Sequence, residues 1–346
     1  MIKVGICGFG YWGPNLFRNF KAHQGFKVLA ISDLKEVNRA KAQVLDPYVR
    51  VYEHAYELID DPQIEAVAIA TPVGTHFELA RRALSRFKHV LVEKPMCASS
   101  DEGAELIELA ARTRRTLMVN HTYLFHGVVR KLAELNSTDA LGKVSYFDSV
   151  RINLGLFQPD MNVLWDLAPH DFSILDHLFE EEPVHIEATG YCHVNDQLPD
   201  ISYITMHFAS QMIAHFHLSW MSPVKVRRIS IGGSTQMAVW DDLNPDERLK
   251  IYDTGIEIQP EDERSVIVPG YRIGDIYSPR IGTQEPLADV IEHFCQVIGG
   301  KEDSLVGGRQ GLRVVRMLEK SQRALNVSLS HIYARTEAPG QRRQAR

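Results

Sequence analysis

The 346 residues carry 38 Lys and Arg against 44 Asp and Glu, a formal charge of −6, with 45% hydrophobic and 24% charged positions. That balance argues against a basic nucleic-acid-binding surface. The length gives room for two domains with separate cores, and no apolar run approaches the ~18 residues of a membrane span.

Strand-like sequence begins at residue 2, which leaves no stretch for a signal peptide. Cys7, Cys97, Cys192 and Cys295 are far apart and form no C-x-x-C pair, so a reducing cytoplasm with neither zinc site nor disulfide frame is expected. In the first third, strands are expected at 2–7, 27–33, 49–52, 66–71, 89–93 and 116–120. Helices are expected at 13–22, 35–44, 54–60, 75–85 and 100–114. Segments such as Ala66–Ala70 and Val90–Val92 are apolar throughout, as in a parallel strand covered on both faces. The alternation implies a doubly wound sheet. Ser99-Ser-Asp-Glu102 reads as a capping box opening the fifth helix.

After about residue 122 the rhythm changes. A helix is expected at 126–135, a strand at 143–153 and a helix over Trp165–Phe179. Strands then follow at 184–192, 202–209, 212–221, 226–240 and 248–258, with few helices between them. This half therefore reads as an α+β domain with a large, mostly antiparallel open sheet. Helices return at 286–299 and 308–325. The domain division is 1–122, 123–333 and a flexible tail at 334–346 carrying Arg335, Arg342, Arg343 and Arg346.

Gly8, Gly10 and Gly13 stand in G-x-G-x-x-G spacing between the first strand and first helix, with Phe9, Tyr11 and Trp12 between them. The first glycine permits the turn, the second lets a pyrophosphate approach the backbone, and the third lets helix pack on strand. Asp33, 20 residues past Gly13, can hold ribose hydroxyls and would repel a 2′-phosphate, which favours NAD. Lys35 and Arg39 would favour NADP only if they turned inward.

Thr71 and Pro72 end the fourth strand, with His76 close behind, where nicotinamide contacts are expected; the alternative is a surface histidine at a helix start. Glu93-Lys94-Pro95 ends the fifth strand. Lys94 there can stabilise a reacting oxygen, and Pro95 is a candidate for a cis peptide; a solvated strand end is the alternative. Asp166 and His170, four apart, share a helix face. Pro169 favours the first turn of a helix, which places His170 near a helix N-terminus that keeps it neutral and able to take a hydroxyl proton. Asp166 would orient or tune it, against the alternative of a helix cap with a satisfied histidine. His207, His215 and His217 share one sheet face and could bind zinc, but alternation sets them opposite an apolar core face, so an exposed or interface surface is preferred and no metal is expected.

Together these motifs resemble the glucose–fructose oxidoreductase/inositol dehydrogenase/rhizopine-catabolism (Gfo/Idh/MocA) family over about residues 1–326. Gly274–Pro279 and Glu285–Leu287 also look familial, while Phe87-Lys88-His89 departs from the usual Gly-Lys-His. The resemblance implies a Rossmann domain, a C-terminal domain whose open sheet often forms a homodimer or homotetramer interface, and NAD(P)-linked chemistry at a carbinol of a sugar, sugar nucleotide or polyol. By position it implies His170 as the acid/base, with Asp166 beside it, and Lys94 on the reacting hydroxyl. Gly10–Leu16, Asn120–Phe125 and Arg151–Gly155 look most like members acting on nucleotide sugars such as UDP-N-acetylglucosamine, oxidised at C3. His121, Tyr123, Arg151 and Asn153 are candidate sugar contacts; Arg151 could instead meet a diphosphate. Inositol or free-sugar oxidation, transient redox glycoside cleavage and a non-catalytic NAD-binding homologue stay open as alternatives.

Overall fold

The computed structural model describes residues 1–155, 157, 160–257 and 270–336. The chain forms two compact units, one of residues 1–129, 172–176 and 283–316, the other of 130–171, 177–282 and 317 onward.

In the first unit β1 (Ile2–Cys7), α1 (Gly13–Ala22), β2 (Phe26–Ser32), α2 (Glu36–Leu45), β3 (Arg50–Tyr52), α3 (Ala55–Asp60), β4 (Ala66–Ile69), α4 (His76–Ser85), β5 (His89–Val92), α5 (Ser100–Thr113) and β6 (Leu117–Val119) follow in order. The six strands are parallel, in the order β3-β2-β1-β4-β5-β6. The chain winds outward from β1 to β3, then restarts at β4 on the other side. The switch point, where open α/β sheets take ligands, therefore lies between the ends of β1 and β4. The apolar runs are the sheet's interior: every residue of β4 is fully buried. The Ser99 half of the expected capping box forms, with Ser99 Oγ accepting from Glu102 N at 3.2 Å, while the Glu102 carboxylate reaches one residue beyond the cap and accepts from Ala98 N at 3.0 Å. Phe87, in the departure from Gly-Lys-His, takes a left-handed φ of 57°.

Residues 283–316, placed by the sequence in the second domain, pack with the first unit. Helix α8 (Pro286–Ile298) turns Leu287, Val290, Ile291 and Phe294 inward. Phe294 stacks on Phe26 at 5.8 Å and meets Phe20 edge-on at 6.5 Å.

The second unit carries β7 (Val144–Leu154), most of α7 (Val163–Phe179), β8 (His185–Tyr191), β9 (Ile201–His207), β10 (Ile213–Ser219), β11 (Met221–Gly233), β12 (Met237–Asp241), β13 (Leu249–Tyr252), a β14 (Gly255–Glu257)–β15 (Gly270–Arg272) ribbon and β16 (Ile276–Tyr277). Helix α6 (Gly127–Ser137) runs from the end of the first unit into this one. Its eight-stranded sheet runs β16-β13-β12-β11-β7-β10-β9-β8 and is antiparallel except for the β10–β7 pair. One face is core, with Phe147, Phe216, Ile204, Ile229 and Trp240 buried. The other carries cross-strand rows such as Glu187, Thr205, His215, Asp148 and Ser230.

Three expectations are corrected here. The strand expected at 226–240 is two, because Gly233–Gln236 closes a hairpin through a Gly233 N–H to Gln236 carbonyl bond of 3.0 Å. The strand expected at 248–258 breaks after Tyr252 into β13 and β14, with residue 258 outside the described residues. The helix expected at 308–325 runs on as α9 (Gly308–Thr336), since Leu325 and Leu329 continue its buried stripe. The expected tail thus begins inside a helix; the Arg335 side chain and residues 337–346, with Arg342, Arg343 and Arg346, lie outside the described residues. Among the described residues no helix is long and apolar enough to cross a membrane.

Candidate active site

The glycine turn fits a dinucleotide in three distinct ways. Gly8 sits at φ +91°, and a Cβ there would lie 2.5 Å from the Ala70 carbonyl oxygen. A Cβ on Gly13 would lie 2.4 Å from the Gly8 oxygen, so α1 packs against the turn only with glycine there. Gly10 has nothing within 4 Å of its Cβ position, leaving its backbone open to a phosphate. No side chain caps α1, whose N-cap residue is Trp12; Pro14 brings no N–H, and Asn15 N donates to the Trp12 carbonyl at 3.0 Å. Phe9 is buried and Tyr11 exposed.

Asp33 directly follows β2 and accepts from Phe9 N at 2.7 Å and Lys35 N at 2.8 Å. These bonds tie the carboxylate to the glycine turn and leave further acceptor capacity for ribose hydroxyls. Arg39 is held along the backbone that follows β2. Its guanidinium donates to the Asp33 and Leu34 carbonyls and lies 3.7 Å from Glu53.

At the end of β4, Thr75 Oγ1 lies 2.7 Å from both Thr71 Oγ1 and the Pro72 carbonyl. His76 is buried rather than on the surface. Its Nδ1 meets the Pro95 carbonyl at 2.9 Å and its Nε2 the Thr71 carbonyl at 2.8 Å. Burial lowers its pKa, and the two carbonyls oppose that fall. The ring thus braces the β4 end against the turn after β5, with no ring nitrogen left for a cofactor. The Lys94–Pro95 peptide in that turn is cis, as expected.

Glu93 accepts a 2.6 Å bond from Asn120 Nδ2, and the Asn120 oxygen accepts from Thr122 Oγ1 at 2.8 Å. Burial pushes Glu93 up to about 7, against the pull of Asn120 and Lys94. His121 follows Asn120 and is 1% exposed. Burial, reinforced by the Lys94 charge, drives its pKa down to about 3. Tyr123 lies in the 3₁₀ turn Thr122–Phe125.

Helix α7 lies mostly in the second unit. Asn162 caps it, with Oδ1 accepting from Trp165 N at 3.2 Å, and Gln322 Oε1 takes bonds from Asn162 Nδ2 (2.7 Å) and Trp165 Nε1 (3.1 Å). Asp166 lies in the first turn and accepts from Trp220 Nε1 at 3.2 Å. Asp166 and His170 share a face of this helix, as expected. Pro169 does not lie in the first turn: α7 begins six residues before it, so Pro169 is a helix-interior proline. His170 is one residue further in, and helix-end charge fades within the first turn, so the helix N-terminus does not hold His170 neutral.

Arg151 is likewise not a surface group awaiting a sugar. Its Nε and Nη2 donate to the Asp171 carboxylate at 2.6–3.1 Å, with both side chains buried. A carboxylate buried at that depth requires a cation. Asn153 Nδ2 donates to the Leu154 carbonyl at 3.0 Å. On the open sheet face, Tyr203 stacks with His217 at 4.5 Å and His215 at 6.3 Å, and His207 lies 5.9 Å from His185. A surface groove of about 640 Å³ between Pro183–Ala188 and Lys320–His331 is lined by His185 but by none of the candidate cofactor or catalytic residues. Asn120, Trp220, Asp171 and Gln322 are the supporting residues that sequence reasoning missed; each acts on a partner too distant in the chain for spacing to reveal.

Residues 2–121 match the oxidoreductase, NAD-binding Rossmann-fold domain of the Gfo/Idh/MocA family, and residues 129–239 match its C-terminal domain. The chain is 26% identical over 319 residues to a UDP-N-acetylglucosamine 3-dehydrogenase of Acidithiobacillus ferrooxidans, covering 91% of this chain and 94% of that one. It is 24% identical over 219 residues to a myo-inositol 2-dehydrogenase of Thermotoga maritima, covering 60% and 66%. A solved structure of the A. ferrooxidans enzyme superposes with a TM-score of 0.79 at 24% identity, over 95% of this chain and 99% of that one.

Proposed function

Because the chain belongs to the Gfo/Idh/MocA family of NAD-binding oxidoreductases, we propose that it oxidises or reduces a carbinol of a nucleotide sugar, C3 of a compound such as UDP-N-acetylglucosamine. When bound, NAD supplies the hydride acceptor. Gly8, Gly10 and Gly13 hold its pyrophosphate and Asp33 its ribose. Thr71, Pro72, Glu93 and Lys94 face its reactive half. Lys94 donates to the reacting oxygen and stabilises its alkoxide character. His170 takes the hydroxyl proton as general base, and Asp166, itself fixed by Trp220, positions His170. Tyr123, Asn153 and His121 contact the sugar.

The observation that carries this reading is the place of Lys94. It follows the last residue of β5 by two positions, and β5 lies two strands from β1, which leads into the glycine turn at the same, carboxyl end of the parallel sheet. The relative acting on UDP-N-acetylglucosamine supports the substrate class. Lys94→Ala and His170→Ala should fold and bind NAD but lose about 10²–10⁴ in turnover. Assays with UDP-sugars, free hexoses, inositols and aryl glycosides read the substrate. Wild-type turnover by either variant refutes the roles, and a preference for inositol refutes the nucleotide sugar.

The open sheet face around Tyr203 is assigned to a second copy of the chain, making a homo-oligomer; a monomeric mass by light scattering refutes this. The four cysteines are thiols, which supports a cytoplasmic setting.

A further inference from the structure

Two buried side chains of the first unit, His121 and Gln310, have both of their side-chain polar atoms unpaired among the described residues, and of the two His121 stands beside the Glu93–Lys94 strand end. Its backbone is fully engaged: its N–H donates to the Val119 carbonyl at 2.8 Å, and its own carbonyl accepts from Leu124 N at 3.0 Å. Its ring is buried, yet neither Nδ1 nor Nε2 has a hydrogen-bond partner among the described residues. Buried polar atoms are nearly always paired. An imidazole with both nitrogens unpaired keeps its donor and its acceptor for a ligand or an ordered water.

The ring's position bears on which of these it meets. β6 is the outermost strand on the β5 side of the sheet, and Asn120, just before His121, is clamped to Glu93 beside Lys94. His121 thus stands at the Lys94 end of the sheet, three strands from the glycine cradle. Burial and the Lys94 charge keep it neutral throughout the physiological range. A neutral imidazole offers one donor and one acceptor. A carboxylate or phosphate can only accept, whereas a hydroxyl gives or takes and so satisfies whichever nitrogen faces it.

We propose that His121 is an uncharged seat for a substrate hydroxyl next to the one that Lys94 contacts, selecting polyhydroxylic ligands without taking part in proton transfer. The inference rests on the sugar-carbinol reading above and specifies one determinant of it. The price of this role is apo stability, because an unsatisfied buried polar group weakens the fold until the ligand arrives.

The test compares His121→Leu and His121→Gln with the wild-type chain. Thermal shifts are read in the apo state, with NADH, and with NADH plus UDP-N-acetylglucosamine, N-acetylglucosamine or myo-inositol. His121→Leu should melt about 2 °C or more above wild type in the apo state, respond to NADH as wild type does, and bind the responsive polyol at least tenfold more weakly. His121→Gln, which keeps a donor and an acceptor, should recover most of that affinity. The shape of the pH–rate profile should not change in either variant.

A fall in apo melting temperature in both variants makes the ring a packing residue and overturns the proposal. A tenfold loss of NADH affinity assigns the seat to the nicotinamide carboxamide instead, and unchanged polyol affinity overturns it outright. If none of the three compounds shifts the wild-type protein, the sugar-carbinol reading fails and this proposal falls with it. A wild-type response retained in His121→Leu sinks the proposal alone.

Discussion

Replacing Glu93 with Gln isolates the electrostatics of the β5 edge. Burial raises the Glu93 pKa from 4.5 to about 7. Between those values the folded protein keeps a proton that the unfolded chain releases. The contribution of this group is therefore full below pH 4.5 and is lost as pH rises to about 7. At about 1.4 kcal/mol per pKa unit the loss is at most about 3 kcal/mol. Glu93 retains some solvent contact, and screening there brings the expected figure to about 1–2 kcal/mol. Gln keeps an oxygen for Asn120 and cannot ionise. Urea midpoints of the NAD-free proteins should show Glu93→Gln more stable than wild type by about 1–2 kcal/mol at pH 8.5. The gap should close as pH is lowered toward 4.5. A gap of the same size at both ends of the range would assign the effect to packing and refute the ionisation argument.

Two contrasts test the rest of the scaffold. Gly10→Ala should leave the melting temperature within about 1 °C of wild type, because no atom opposes its Cβ, while NAD affinity drops at least tenfold. Gly13→Ala should instead destabilise the fold by about 1–3 kcal/mol, because its Cβ meets the Gly8 oxygen. Full NAD affinity in Gly10→Ala, by titration calorimetry, would remove the pyrophosphate from this turn. Arg151→Ala leaves Asp171 buried without its cation and should cost about 3–5 kcal/mol by chemical denaturation. Unchanged stability with a raised substrate KM would return Arg151 to the substrate.

The first unit was readable from the chain because its signals are local. Apolar parallel strands, the glycine spacing and the Ser99–Glu102 cap each reside in a few consecutive residues, and element ends fell within two residues of expectation. The second unit was read less well. Gly232-Gly233-Ser234 is a hairpin signal that the β-rich flanks concealed, and Pro169 looked like a helix start because a proline inside a helix is uncommon. Site residues were legible as types but not in their commitments. His76 is held by a carbonyl 19 positions away, Asp166 by an indole 54 positions away, and Arg151 by a carboxylate 20 positions away. No periodicity encodes such pairs. The orphaned ring of His121 is less legible still, since it is defined by bonds that are not made.

The packing of residues 283–316 onto the first unit governs how that unit comes into being. Phe294 covers Phe20 and Phe26, Glu285 grips Arg18 through two bonds of 2.6 and 2.8 Å, and Val119 N reaches the Val306 carbonyl at 2.9 Å. The nucleotide-binding unit is thus begun first but completed only near residue 316, after most of the second unit has been made. Until about residue 316 has been made, its α1 face and β6 edge lack their cover. A fragment cut at residue 129 would carry every glycine of the cradle and still present a raw apolar flank. Transplanting the cofactor-binding module into another scaffold therefore means moving two segments of the gene.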